Sequence, residues 1–361
     1  MSTLFVTLFI SLSSLLLGEF DSAELVFAGD AMQHQTQINA AKQTDGSYSY
    51  DECFEAIAPY VQDADYAVVN LESPLGGAPY SGYPMFCAPD NYSLALKNAG
   101  FDLMLTANNH ALDRRDKGAK RTIDILDQQG LDHVGTYHNN AERENTLPLI
   151  KDINGFKIAF LNYTYGTNGI KTQKDVVVDL IDKNKIKQDI SEARANGAEV
   201  ICVAMHWGVE YVLLPNAQQK ALADFLTEEG VDLIIGGHPH VIQPMEMRWS
   251  KAYNKKIFLV YSLGNLISNM TTKDTRGGAL VKVKLTRDEN GNPIVDNASY
   301  RLVFTLLPDE NSKNFRIVPV EDYTSGKLKS NCDIFVNNAE KIFYKHNIEV
   351  PRDKTPISSN K

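Results

Sequence analysis

The sequence predicts an α/β fold with a β-rich C-terminal portion. Three observations predict it. Short runs rich in β-branched residues alternate with amphipathic stretches over about 240 residues. The strand-like runs end in Gly, Asn, Asp or His. Beyond Leu266, strand patterns follow one another with no helical pattern between them.

In chain order, the first strand is predicted at 24–28 and ends in Gly29-Asp30-Ala31-Met32-Gln33-His34. A helical spacing at 50–62 leads to a strand at 66–71, which ends in Asn70-Leu71-Glu72. Helix 91–99 precedes strand 103–107, which runs out into Asn108-Asn109-His110-Ala111-Leu112-Asp113. Helix 118–129, strand 157–163 and helix 185–196 follow. Strand 199–205 ends in His206-Trp207-Gly208-Val209-Glu210. After helix 216–229, strand 231–235 ends in Gly236-Gly237-His238-Pro239-His240. Strand 257–262 ends in Ser262-Leu263-Gly264-Asn265. Apolar spacing near 3.6 marks the helices, and Gly100, Gly130, Gly197 and Gly230 stand where helix-ending glycines stand. Three more strands are expected at 278–286, 298–308 and 314–320, the first two joined by an Asp288-Glu289-Asn290-Gly291-Asn292 turn.

Composition narrows the function classes. The 361 residues are 43% apolar and 22% charged, which are globular proportions. The balance of 36 basic against 45 acidic residues gives −9, a poor basis for nonspecific binding to nucleic acid. Four cysteines without a CxxC spacing exclude a disulfide framework and a structural zinc site. Cys202, inside Val200-Ile201-Cys202-Val203-Ala204, reads as a buried thiol. Residues 4–17 hold ten apolar side chains, the rest being Ser and Thr, and the first charge is Glu19. That run is shorter than the roughly 20 residues that span a bilayer and fits an export signal or short anchor. The expected division is 1–20 as leader, 21–270 as the α/β domain and 271–361 as the β-rich portion, completing that domain or appended to it.

Ligands of open α/β sheets bind beyond the carboxyl ends of the strands. Five of the eight histidines stand at such ends: His34, His110, His206, His238 and His240. Asp30 and Glu72 join them, and Asn70, Asn109, Glu210 and Asn265 line the same ends. Histidine and carboxylate together suit manganese, iron or zinc, as one ion or two. Extended backbone would aim His238 and His240, two apart, at one centre. His133, His138 and His346 fall outside the set, and Trp207 reads as packing. The basic run Arg114, Arg115, Lys117, Lys120 and Arg121 reads as a solvated helix face.

The strand-end segments, with Tyr80-Ser81-Gly82-Tyr83-Pro84-Met85-Phe86 and Ala88-Pro89, resemble the CapA family of bacterial capsule or poly-γ-glutamate biosynthesis proteins. That family in turn resembles the calcineurin-like metallophosphoesterases. The resemblance implies a two-sheet sandwich flanked by helices, with metal on Asp30, Glu72, Asn109, His206, His238 and His240. It implies that His110 is a general acid, grouped with Asn109 and Asp113 in the catalytic set. Two positions depart from the phosphoesterase pattern: Met32 stands where a histidine ligand is usual, and Glu72 where an Asp bridges.

The resemblance implies an exported or membrane-anchored envelope protein. Its partners would be an anionic polymer or its precursor and the capsule synthesis machinery, with no nucleic acid. A metal-dependent hydrolase acting on a phosphoester or a γ-glutamyl amide is the first expectation. An envelope factor that binds or guides the polymer without catalysis is the alternative, and a soluble metallophosphoesterase a further one.

Overall fold

The computed structural model describes residues 22–309 and 312–357. The expected leader, 1–20, lies outside them.

The first half of the chain forms β1 (Ser22–Ala31), α1 (Gln35–Ala41), α2 (Ala58–Gln62), β2 (Tyr66–Leu71), α3 (Asn91–Asn98), β3 (Leu103–Leu105) and α4 (Arg115–Gln129). Then come β4 (Asp132–Val134), β5 (Thr136–Tyr137), α5 (Asn140–Thr146), β6 (Leu149–Ile153), β7 (Phe156–Thr164), β8 (Val177–Val178) and α6 (Lys183–Ala195). The second half adds β9 (Val200–His206), α7 (Ala217–Glu228), β10 (Leu233–Gly237), β11 (Met245–Ser250), β12 (Lys255–Val260) and β13 (Asn265–Ile267). The chain closes with β14 (Gly277–Arg287), β15 (Pro293–Leu306), β16 (Arg316–Pro319) and α8 (Lys329–His346).

Two large sheets result. The first runs β16-β15-β14-β1-β2-β3-β4, with β13 beside β1; the second runs β11-β12-β10-β9-β7-β6. β1 to β4 are mutually parallel, as are β7, β9, β10 and β12. The three C-terminal strands join the first sheet, because β14 pairs antiparallel with β1 along Ser22–Phe27.

Period-two alternation builds the layers. Leu25, Phe27, Val68 and Leu103 share one core with Ile158, Phe160, Val203 and Ile234 of the second sheet, so the sheets face each other. Val26, Ala28, Val69 and Met104 point the other way, into a core with Phe54, Tyr92 and Leu96. Ile186 and Ile190 of α6 and Leu222 and Leu226 of α7 pack on the sandwich core. All four predicted helix-ending glycines have positive φ, and Gly130 caps α4 at φ 64°.

Two expectations are corrected. The helix expected at 50–62 is broken into a 3-10 turn, Asp51–Cys53, and the short α2, which restarts with Pro59 in its first turn, where a missing N–H costs no bond. The C-terminal portion is not strand alone. It carries the 18-residue α8, whose Cys332, Phe335, Ala339 and Phe343 pack on the sandwich core. Their spacing of three and four residues is helical. All four cysteines are buried free thiols. No described helix is long and apolar enough to cross a membrane.

Candidate metal centre

The carboxyl ends of the parallel strands of both sheets meet at one rim, and a bulge sets its first ligand. Along β1, Ala28 pairs with Val69 and Asp30 with Asn70, so Gly29 is an extra residue. Ala28 and Ala31 therefore lie on the same helix-side core, and Asp30 turns toward the other sheet. Only glycine fits the bulge: a Cβ there would stand 2.0 Å from the Gly264 carbonyl oxygen. Gly29→Ala is expected to cost about 1–3 kcal/mol in urea unfolding, the usual penalty of overpacking. A variant as stable as wild type would show that this contact is not needed.

Asp30, Glu72, His206, His238 and His240 are all buried. One ligand atom each from Asp30, Glu72 and His206 lie within 4.8 Å of one another, and so do those of Glu72, His238 and His240. Glu72 belongs to both groups. His206 Nε2 is 3.5 Å and His240 Nε2 3.8 Å from Glu72 Oε1. The His206 and His238 rings are 4.8 Å apart, and the His238 and His240 rings 5.9 Å.

Side-chain hydrogen bonds orient these groups. Asn70 Nδ2 donates to Asp30 Oδ1 at 2.7 Å. Asn108 Nδ2 donates to Asn70 Oδ1 at 3.2 Å. His240 Nδ1 faces two acceptors, Asn265 Oδ1 at 3.0 Å and Asp30 Oδ2 at 3.2 Å. Nδ1 therefore holds the proton, and Nε2 is the nitrogen left for a ligand bond. Asn109 Oδ1 lies 2.8 Å from His206 Nε2.

Extended backbone does not explain how His238 and His240 converge. Both take positive φ, 97° and 58°. That conformation costs about 1–3 kcal/mol at a non-glycine residue and concentrates at functional sites. The His238 backbone N–H donates to Asp30 Oδ2 at 3.2 Å, tying the strained turn to β1.

Burial and mutual charge shift the titration of these groups in opposite directions. Burial pushes the Glu72 carboxyl up, and the adjacent Asp30 carboxylate adds to it, to about 8. Burial also acts to raise Asp30, but the hydrogen bond and charge of His240 prevail and hold it at about 2. Burial pushes His206 down to about 3 and His238 to about 2. Burial opposes the charged form of His240 as well, yet Glu72 and Asp30 carry it up to about 9. Glu72 Oε1 and His238 Nδ1 are buried without a hydrogen-bond partner. An orphaned carboxylate oxygen and an orphaned imidazole nitrogen in one buried cluster fit a borderline-hard divalent cation. The cluster is a candidate divalent-metal centre.

A second group adjoins it. His110 Nδ1 donates to Asp113 Oδ2 at 2.7 Å, and the Phe86 ring meets the His110 ring edge-on at 4.6 Å. Asp113 Oδ2 also accepts from the Phe86 N–H at 2.7 Å.

Other expected residues sit differently. His34 caps α1, its Nδ1 lying 3.1 Å from Gln37 Oε1 and accepting from the Asn269 N–H at 3.2 Å, and it is in neither ligand group. The Met32 carbonyl accepts from the Gln33 and Gln37 side chains. Glu210 is half-buried, close enough for its charge to raise Glu72. His133 and His138 pair with acidic side chains elsewhere. Trp207 is packed in the core and donates to the Tyr261 carbonyl.

Three residues at the rim escape the sequence reading. The Tyr165 ring lies 4.6 Å from the His238 ring. Asn168 Oδ1 accepts from Asn109 at 3.3 Å, and its Nδ2 lies 3.5 Å from His110 Nδ1. Phe86 braces His110. The first two follow strand 157–163, whose end Thr164-Tyr165-Gly166-Thr167-Asn168 is as polar as the other six.

Residues 24–270 match the family described as "Bacterial capsule synthesis protein PGA_cap". The chain is 29% identical over 289 residues to the Bacillus anthracis "Capsule biosynthesis protein CapA", covering 77% of this chain and 67% of that protein. It is 30% identical over 271 residues to the Bacillus subtilis (strain 168) "PGA biosynthesis protein CapA", covering 73% and 68%. Among solved structures, the Haemophilus influenzae NAD nucleotidase aligns with 94% of this chain and 65% of its own length, just under two thirds, at 10% identity and a TM-score of 0.48.

Proposed function

The chain belongs to the bacterial capsule synthesis protein family, and from that premise we propose that it acts on an anionic envelope polymer or its precursor through a metal-centred, hydrolase-like site. The observation that carries the proposal is Glu72, one carboxylate shared by two buried ligand groups and left with an orphaned oxygen.

Asp30, Glu72, His206, His238 and His240 would hold manganese, iron or zinc, one ion or two, with Asn109 beside them. Such a cation supplies Lewis acidity toward an oxygen of the phosphoryl or acyl group. The chain's own residues do the rest. Asp113 fixes the His110 ring through Nδ1, so Nε2 is the nitrogen free to exchange a proton with a leaving group. Phe86, edge-on to that ring, limits its rotation. Asp30 and Glu72 are fully buried, which keeps bulk water from their carboxylates.

The proposal places the protein at the cell envelope, with the polymer synthesis machinery as its partner. Its test begins with metal. Purified protein should hold at least one transition metal per chain, and chelation should lower its melting temperature. Restoring manganese or zinc at a hundred times its Kd should return about 2.7 kcal/mol of stability. His110→Ala should keep the metal and lose turnover of phosphoester or γ-glutamyl substrates. A protein that binds no metal and whose melting ignores chelator would defeat the reading.

A further inference from the structure

Three loop segments border the rim: 80–86, 165–169 and 207–216. Together they contain one charged residue, Glu210, and no lysine or arginine. Each puts forward an exposed tyrosine: Tyr83 is 75% exposed, Tyr165 46% and Tyr211 54%. The Tyr165 ring lies 4.6 Å from the His238 ring, and the Tyr211 ring 6.3 Å from the His240 ring. The Tyr83 ring lies 6.2 Å from that of Phe86, which braces His110. Tyr83 also stands near enough to Tyr211 to act on its hydroxyl. The three exposed rings thus stand beside His238, His240 and the brace of His110.

Tyr211 is held where it is at a cost. Its φ of 67° is left-handed, which costs about 1–3 kcal/mol at a non-glycine residue. Its N–H donates at 2.8 Å to the carbonyl of Pro239, the residue between the two ligand histidines. The Val212 carbonyl accepts from the buried Gln243 Nε2 at 2.7 Å, and Gln219 Nε2 holds Gln243 at 2.8 Å. More than half of the Tyr211 surface is open, so core packing does not offset the strain. Glu210 is half-buried and makes no ion pair among the described residues. Burial first, and then the Glu210 charge, push the Tyr165 and Tyr211 hydroxyls up to about 12, so one carboxylate faces both. Aromatic faces attract a cation within about 6 Å of the ring centre, and an unpaired carboxylate adds its charge. An anion would meet Glu210 as a repulsion. A nucleobase or a sugar would use the ring faces but not the charge.

We propose that Glu210 with Tyr165, Tyr211 and Tyr83 is a binding site for an organic ammonium group, so that the rim favours a zwitterionic ligand whose anionic half lies on the metal centre. Only the placement of the anionic half rests on the metal-site reading; the ammonium site does not. The test uses the whole chain and two probes of one shape. Phosphocholine carries a quaternary ammonium, and 3,3-dimethylbutyl phosphate carries a neutral carbon in its place. By calorimetry on the protein as purified, phosphocholine should bind at least about tenfold more tightly, the scale of a desolvated cation–π contact. Glu210→Gln and Tyr211→Leu should each cut that ratio at least about threefold, with melting unchanged and the neutral probe bound no more weakly. Tyr211→Phe keeps the ring face and should keep most of the ratio. A second arm removes the metal. Tetramethylammonium, which has no anionic half, should still show saturation transfer from the metal-stripped protein and should lose it in Glu210→Gln/Tyr211→Leu. If the metal-site reading is wrong, neither phosphate binds and tetramethylammonium still does. Equal affinity for the two phosphates overturns the proposal, as does a ratio that survives Glu210→Gln. Absence of tetramethylammonium binding to the wild type overturns it as well.

Discussion

Glu72→Gln is expected to strip the metal from the protein and abolish turnover while leaving the fold intact. The substitution keeps the size of the side chain and removes one charge from both ligand groups at once. Losing an outer-shell partner of a metal typically costs 10–100-fold in affinity, and loss of a shared ligand should exceed about 100-fold. Stability should move the other way in the metal-free protein. Burial and the adjacent Asp30 carboxylate both penalise the Glu72 anion, so the neutral amide relieves a cost. The metal-free variant should therefore melt no lower than the metal-free wild type, and added manganese or zinc should not shift it. Metal analysis by mass spectrometry and paired melting curves check both halves. A variant that retains stoichiometric metal would show that Glu72 is not a ligand.

The largest loss of stability is expected at Arg143. Its guanidinium is buried between two carboxylates, Nε at 2.6 Å from Asp179 Oδ1 and Nη2 at 2.5 Å from Asp189 Oδ2. Lys185 Nζ adds a contact to Asp179 at 2.9 Å, and the Tyr163 hydroxyl donates to Asp189 at 2.7 Å. The group joins α5 to α6 and to β7. Arg143→Leu leaves two buried carboxylates without their main partner, a kind of change that costs about 3–5 kcal/mol. Urea unfolding should show the midpoint falling with an unchanged slope. Adding Asp189→Asn should recover part of the loss, since it removes one stranded charge. A loss under about 1 kcal/mol would mean that water or a rearranged Lys185 replaces the guanidinium.

Much of the candidate site was legible because it lies at strand ends. Asp30, Glu72, His206, His238 and His240 each follow an apolar run in the sequence, and strand ends of parallel sheets are brought to one rim by topology. Tyr165 and Asn168 escape the sequence reading, although the same logic applied to the end of β7 reaches them. Phe86 was not, because nothing local marks a loop phenylalanine as the brace of a histidine 24 positions away. The basic run after His110 looked like a solvated helix face. Arg115 and Lys117 are exposed, as that reading expects, and with Lys120 and Arg121 they line an open cavity beside Gln173 and Lys174.

By itself, the sequence determined the strands β1, β2, β3, β7, β9, β10 and β12, the helices α3, α4, α6 and α7, the polar residues at the strand ends and the sign of the net charge, but not α1, α5, β4, β5, β6, β8 or β11. These follow from periodicity and from the backbone's need to turn where an apolar run stops, both local properties. Only the tertiary structure decided that the C-terminal strands belong to the first sheet, that the Gly29 bulge turns Asp30 toward the second, and that Glu72 sits between two ligand groups. Pairing register and side-chain convergence depend on residues as far apart as Asp30 and His238, joined here by one hydrogen bond. No pattern along the chain encodes a contact of that span, because it is fixed by how two twisted sheets pack face to face.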